Sequence, residues 1–212
     1  MILRILRGRA DRADVGRLLD AVRVDVEEWS AIDAAPTTYQ PAVRQLDDES
    51  GEIEFLLVST WRDAEAVLAR GGEITLPRGR LAERGRLRHG HAGHYELIMS
   101  AQREGSAPGE IVRLSSIVLL PRRSSAFYEH VRGLWDQLVE DAGLVSLEVG
   151  RRAGSDDEQA VVVSVWESEA ALNAATSGRF VGGDEIGTFY ASDPRIEHFT
   201  ALIAESKGAV RA

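Results

Sequence analysis

Apolar and polar positions alternate between two rhythms along this chain, and the switches between them mark out its elements. The first stretch, ILRILRGR from Ile2, is dominated by large β-branched and aliphatic residues and reads as a strand. Val15, Leu18, Leu19, Val22, Val26 and Trp29 then recur at helical spacing, giving an amphipathic helix. A second strand is expected near TYQPAVRQL from Thr38, and the turn-rich DDESGE leads into a third, IEFLLVSTW from Ile53. That third run is continuously apolar rather than alternating, the pattern of a strand covered on both faces. Asp63 is a good N-cap for a following helix, with Glu65 in its first turn where the helix dipole favours an acid. A fourth strand is expected at HYELIM, His94 to Met99.

The same order of elements is then written again. VSTWRDAEAVLA, from Val58, returns as VSVWESEAALNAA, from Val163. Aligning Trp61 with Trp166 brings the rest into step. IVRLSSIVLLP from Ile111 matches the first strand, and Phe127, Val131, Leu134, Trp135, Leu138 and Val139 form the second helical stripe. Gly143 reads as a helix stop before LVSLEVGRR from Leu144, and GSDDE as the hairpin loop before AVVVSVW from Ala160. Ser168 replaces Asp63 as cap, Glu169 replaces Glu65, and HFTALI from His198 matches HYELIM. The tryptophan-to-histidine spacing is 33 residues (61 to 94) and then 32 (166 to 198).

Fixed order over such a period is the mark of internal duplication. Each copy is β-α-β-β-α-β, so the predicted fold class is α+β with two ferredoxin-like repeats. Their expected bounds are 1–101 and 111–206, with a linker at 102–110 and a tail at 207–212. A four-stranded sheet of this kind carries both helices on one face and leaves the other uncovered. Strands apolar on both faces therefore predict that the two sheets pack together within one chain, as an intramolecular dimeric α/β barrel; further homodimerisation stays open.

Composition narrows the function classes. Of 212 residues, 44% are hydrophobic and 28% charged, ordinary for a globular protein. A net charge of −9 repels a phosphate backbone, and residues 1–106 and 107–212 are each acidic, so nucleic acid is not an expected partner. No window approaches the roughly 18 apolar residues of a membrane span, and MILRILRGRAD lacks a signal peptide's apolar core. With no membrane partner expected and no cysteine present, a cytoplasmic location is expected, with neither disulfides nor thiolate chemistry. Twenty-four arginines against one lysine suggest a GC-rich bacterial genome.

A strand ending in V-S-x-W, a capped helix and a last strand opening H-[YF] resemble the antibiotic biosynthesis monooxygenase domain of the dimeric α/β barrel superfamily. The resemblance spans nearly the whole chain, twice. It implies a cofactor-independent monooxygenase acting on a planar aromatic or polyketide-like molecule. The alternative is a small-ligand-binding or structural barrel lacking the catalytic groups. In oxygenase members an asparagine stands four residues before the strand tryptophan; here those positions are Leu57 and Val162. Haem-degrading members carry a ligating histidine on the helix after the tryptophan, where the second copy places Asp184 and the first a Gly/Arg-rich segment. No cofactor is therefore expected.

The candidate site residues follow. Trp61 and Trp166 are expected to line a pocket between sheet and helices, with Tyr39. Ser59 and Ser164 share a strand face with their tryptophans by the period-two rule. Neither serine has a His–Asp partner at a suggestive spacing. His94 and His198 are the candidate proton acceptors, since a neutral imidazole can take a proton near pH 7. His89, His91 and His94 lie close together in RHGHAGH, yet no carboxylate completes a coordination set, so no metal site is expected. That stretch is expected to be a mobile loop. Arg78, Arg80, Arg84, Arg86 and Arg88 make its surroundings basic.

Overall fold

The structure is a computed structural model. It describes residues 1–30, 36–46, 51–68, 83, 85–105, 108–139, 143–152, 158–176 and 188–202, without the side chains of Trp29, Leu68 and 134–139. The expected hairpin loops (largely), Asp184, Arg78, Arg80, Arg84 and the end of the second helical stripe lie outside that set.

Eight antiparallel strands close into a barrel. They are β1 (Ile2–Asp11), β2 (Thr38–Gln45), β3 (Glu52–Trp61), β4 (Arg88–Gln102), β5 (Ile111–Val118), β6 (Leu144–Arg152), β7 (Gln159–Trp166) and β8 (Arg195–Ala201). The helices are α1 (Val15–Ser30), α2 (Ala64–Leu68), α3 (Ser124–Val139) and α4 (Glu169–Thr176). Round the barrel the order is β1-β3-β2-β8-β5-β7-β6-β4. The first four strands thus run β4-β1-β3-β2 and the last four β8-β5-β7-β6. The two sets meet at two seams. β4 and β6 pair from Tyr95–Arg152 to Gln102–Ser146, whereas β2 and β8 share only Ala42–Ala201 and Val43–Thr200. Among the described residues no helix is long and apolar enough to cross a membrane.

Closure explains the apolar runs. Leu3, Ile5, Leu56 and Val58 of the first set meet Val112, Leu114, Val161, Val163, Val165 and Phe199 of the second in one cluster inside the barrel. The alternate residues face outward under helices. Leu6, Phe55 and Leu57 pack against Leu18, Ala21 and Val22 of α1. Met99, Ile117, Val149 and Ala160 pack against Phe127 and Tyr128 of α3. Burying each such side chain contributes roughly 1.5–3 kcal/mol. Both helix caps form: Asp63 Oδ1 accepts from the Ala66 N–H at 2.8 Å and Ser168 Oγ from the Ala171 N–H at 3.2 Å.

RHGHAGH is strand, not loop: β4 begins at Arg88 and pairs with β1 through this stretch. Its glycine has a packing reason. A Cβ at Gly93 would lie 2.9 Å from the Tyr95 ring, which turns into the barrel. In this register His91 stands opposite Arg7 and His94 opposite Arg4, so the two histidines point to opposite faces. Among the described residues no three His, Asp or Glu side chains gather as a metal set.

Candidate functional site

A polar row crosses the outer face of the first four strands. Tyr39 pairs with Ser59, Ser59 with Arg4, and Arg4 with His94. Residues directly opposed across strands have Cβ atoms roughly 4.5–5.5 Å apart, so neighbours in this row can touch. Trp61 lies two residues beyond Ser59 on the same face and is 1% exposed. Its indole N–H donates to Ser59 Oγ at 2.9 Å. α1 covers the row with Val22, Asp25 and Val26, and Leu57 completes the wall. The space enclosed is about 10 Å³, room for about one water molecule.

The electrostatics of this crevice are set by burial. His94 is held down to about pKa 4, by burial first and by the Arg4 charge second. It is therefore a neutral imidazole at pH 7, and its buried Nε2 has no hydrogen-bond partner. Burial also lowers Arg4, against an opposing pull from the Asp25 carboxylate. A half-buried guanidinium facing a neutral base can hold an anion while the base receives the proton that leaves it.

The equivalent row on the last four strands reads Leu147, Ser164, Arg113 and His198. Trp166, also 1% exposed, donates to Ser164 Oγ at 2.9 Å. Two features differ. Leu147 stands where the first set has Tyr39, and the side under α3 is filled with aromatic rings. Phe127 packs against Tyr128, Phe189 and Tyr190 at centroid distances of 5.4, 6.1 and 6.3 Å. His198 is exposed, and its pKa is lowered by burial and Arg113 against the pull of Glu169. The two candidate histidines thus occupy matching register but unlike surroundings. Replacing Ser164 with alanine removes the acceptor of a buried indole N–H. It is expected to lower stability by about 1–2 kcal/mol in urea denaturation.

Sequence reasoning brought together Tyr39, Ser59, Trp61 and His94 but missed Arg4, Arg113 and Asp25. A signal existed: an arginine stands third in each opening strand, in ILRIL and IVRLS. It also missed Glu148, inside the apolar run LVSLEV. This carboxyl is 8% exposed and lines a separate cavity at one end of the barrel, of about 270 Å³. Burial pushes it up to about 7, partly opposed by a hydrogen bond from Ser146.

No protein-family model and no curated protein sequence matches the chain. Solved structures do. A provisionally assigned monooxygenase from Fusobacterium nucleatum superposes with TM-score 0.67 at 11% identity, covering 98% of this chain and 94% of that one. An uncharacterised ferredoxin-fold protein of Listeria monocytogenes, related to antibiotic biosynthesis monooxygenases, gives 0.55 at 10% identity over 95% of each chain. A haem-degrading enzyme, also from Listeria monocytogenes, gives 0.54 at 10% identity, covering 93% of this chain and 98% of that one. The chain therefore shares its α+β barrel fold with monooxygenase-like proteins, at identities that carry the fold and not the reaction.

Proposed function

We propose that this chain is a tandem pair of ferredoxin-like repeats, 1–101 and 111–206 joined by 102–110. Its first repeat binds a small, planar, weakly acidic aromatic molecule as the anion. The observation that carries the reading is the neutral His94, with its Nε2 unbonded, directly opposite the half-buried Arg4 on the neighbouring strand. His94 takes the acidic proton of the ligand and Arg4 holds the charge left behind. Burial is the larger cause of the low imidazole pKa and the Arg4 charge the second; an anion beside Arg4 cancels that second cause, so the base strengthens as the proton arrives. Tyr39 and Trp61 supply flat walls for the ring. The enclosed space fits about one water, so α1 must yield outward for a ligand to enter. The second repeat, packed with aromatic rings under α3, is scaffold.

An anion so held is also the species that dioxygen oxidises. An activated aromatic methylene becomes a ketone with one oxygen atom, and the second leaves as water, the substrate supplying all four electrons. This is the monooxygenase form of the proposal. Its alternative is binding without turnover, favoured by the apolar Leu57 and Val162. Titration with anthrone and hydroxyanthraquinones decides both. The expected result is a red-shifted anion spectrum at least 1 pH unit below the free ligand's pKa, abolished in Arg4→Leu. An unshifted spectrum, or one indifferent to that substitution, sinks the proposal. Oxygen uptake on adding anthrone then separates turnover from binding alone.

A further inference from the structure

The barrel's interior is closed by apolar packing along most of its length, but not at the end where β2 and β6 begin. There a cavity of about 270 Å³ is lined by Thr38, Gln40, Gln102, Ser146 and Glu148 over a floor of valines. The floor comes from both strand sets: Val58, Val145, Val163 and Val165. Thr38, Gln102 and Pro108 are exposed and frame the mouth, whereas Glu148 is buried at depth. At about 30 Å³ per water, this is space for about nine, or for a compact organic molecule.

The walls are related by the barrel's own pairing. Thr38 stands opposite Thr60 and Gln40 opposite Val58; Ser146 stands opposite Val165 and Glu148 opposite Val163. Glutamine on one side thus corresponds to glutamate on the other. The two have the same shape, so packing alone gives no reason for the acid. Among the described residues nothing charged faces it. Its cross-strand neighbours are Ser100 of β4 and Val163 of β7, the far wall is Gln40 of β2, and no Lys, Arg or His lines the cavity among the described residues. A buried carboxyl with a hydroxyl neighbour and no cation carries a desolvation cost that a bound cation would remove.

We infer that this end of the barrel is a binding site for a small organic ammonium ion, the cation seated on Glu148 and its apolar portion on Val58, Val145, Val163 and Val165. The ammonium donates to Glu148, with Ser146, Gln40 and Thr38 as further acceptors. The valine floor selects against bare metal ions, which need several oxygen ligands. The site lies on the inner face of the sheet; it shares Tyr39 with the crevice at Arg4 and His94, but Glu148 belongs to this site and Arg4 to the other, so either proposal can fail alone.

The test is calorimetric titration of the full chain with primary ammonium ions from n-butyl to phenethyl, alongside benzyl alcohol as a neutral counterpart. At pH 7 the expected result is binding of one ammonium ion, with release of about half a proton read from the buffer dependence of the heat. Glu148→Gln is expected to weaken it by at least about tenfold, while Arg4→Leu leaves it unchanged. The glutamine variant keeps the cavity's shape, so loss of binding cannot be laid to unfolding. Three results overturn the inference: no heat with any member of the series at about 10 mM, equal affinity in Glu148→Gln, or tighter binding of benzyl alcohol.

Discussion

Replacing Glu148 with glutamine is expected to stabilise the protein by about 3 kcal/mol at pH 8 and to change little at pH 4. The carboxyl's folded pKa is raised to about 7 from an ordinary 4.5, chiefly by burial. A group raised on folding binds its proton more tightly in the native state. Its favourable contribution is complete below pH 4.5 and is lost as pH rises through 7. The difference, about 2.5 pH units at 1.36 kcal/mol each, sets the size of the effect. Glutamine, with one N–H where the protonated acid has its O–H, imitates the low-pH form at every pH. Urea denaturation of both proteins at pH 4, 6 and 8 measures it. Equal gains at pH 4 and pH 8 would show that ionisation is not the cause. A gain at pH 8 alone would mean that the native chain keeps a residue which weakens it under ordinary conditions, the trade-off expected where a side chain is retained for binding.

The contrast between Glu148 and the tryptophans shows what a sequence can reveal here. Trp61 and Trp166 were legible because repetition made them so: the same strand end, tryptophan and capped helix appear twice, in one order. The strands were legible as strands because a barrel covers both their faces. That same double coverage hid the sites. Where neither face alternates, periodicity cannot say which residues look into the barrel and which look under a helix. Arg4 and His94 are ninety residues apart in sequence and become neighbours only through the register of β1 against β4. Glu148 looked like one acid among many in an acidic chain. Only closure of β4 against β6 shows that it points inward, with no charge to meet it. RHGHAGH failed for the opposite reason: its glycines suggested a loop, but inside the barrel one of them makes room for Tyr95.

The largest loss of stability is expected from Glu197→Ala, because of where the barrel is least well sewn. After Val43–Thr200 the β2·β8 ladder stops, and side chains take over the join. Arg7 donates to Glu197 Oε2 and Oε1 at 2.7 and 2.8 Å and to Glu54 Oε1 from both Nε and Nη2. Arg44 reaches Glu197 at 3.0 Å and also pairs with Glu54, while Arg195 adds a further contact to Glu197 at 2.8 Å. Phe199 lies beneath both arginines, 5.8 Å from Arg7 and 5.0 Å from Arg44. Burial alone would raise the Glu197 carboxyl; the hydrogen bonds and charge of Arg7, then of Arg195, override it and hold it near 2. Removing this acid leaves Arg7 and Arg44 half-compensated inside the barrel mouth, a change that typically costs 3–5 kcal/mol. The exposed pair of Arg151 with Glu96 supplies the control, since Glu96→Ala should cost no more than about 1 kcal/mol. Because Glu197 is depressed on folding, its contribution is full above pH 4.5 and disappears as pH falls towards 2. The variant's deficit should shrink over that range. Hydrogen exchange locates the damage: the amide of Leu202, which bonds to Pro41 across the seam, should exchange faster, and those of the β4·β6 seam should not. A deficit spread evenly round the barrel, or one below about 1 kcal/mol, would mean that the short ladder holds without its ion cluster.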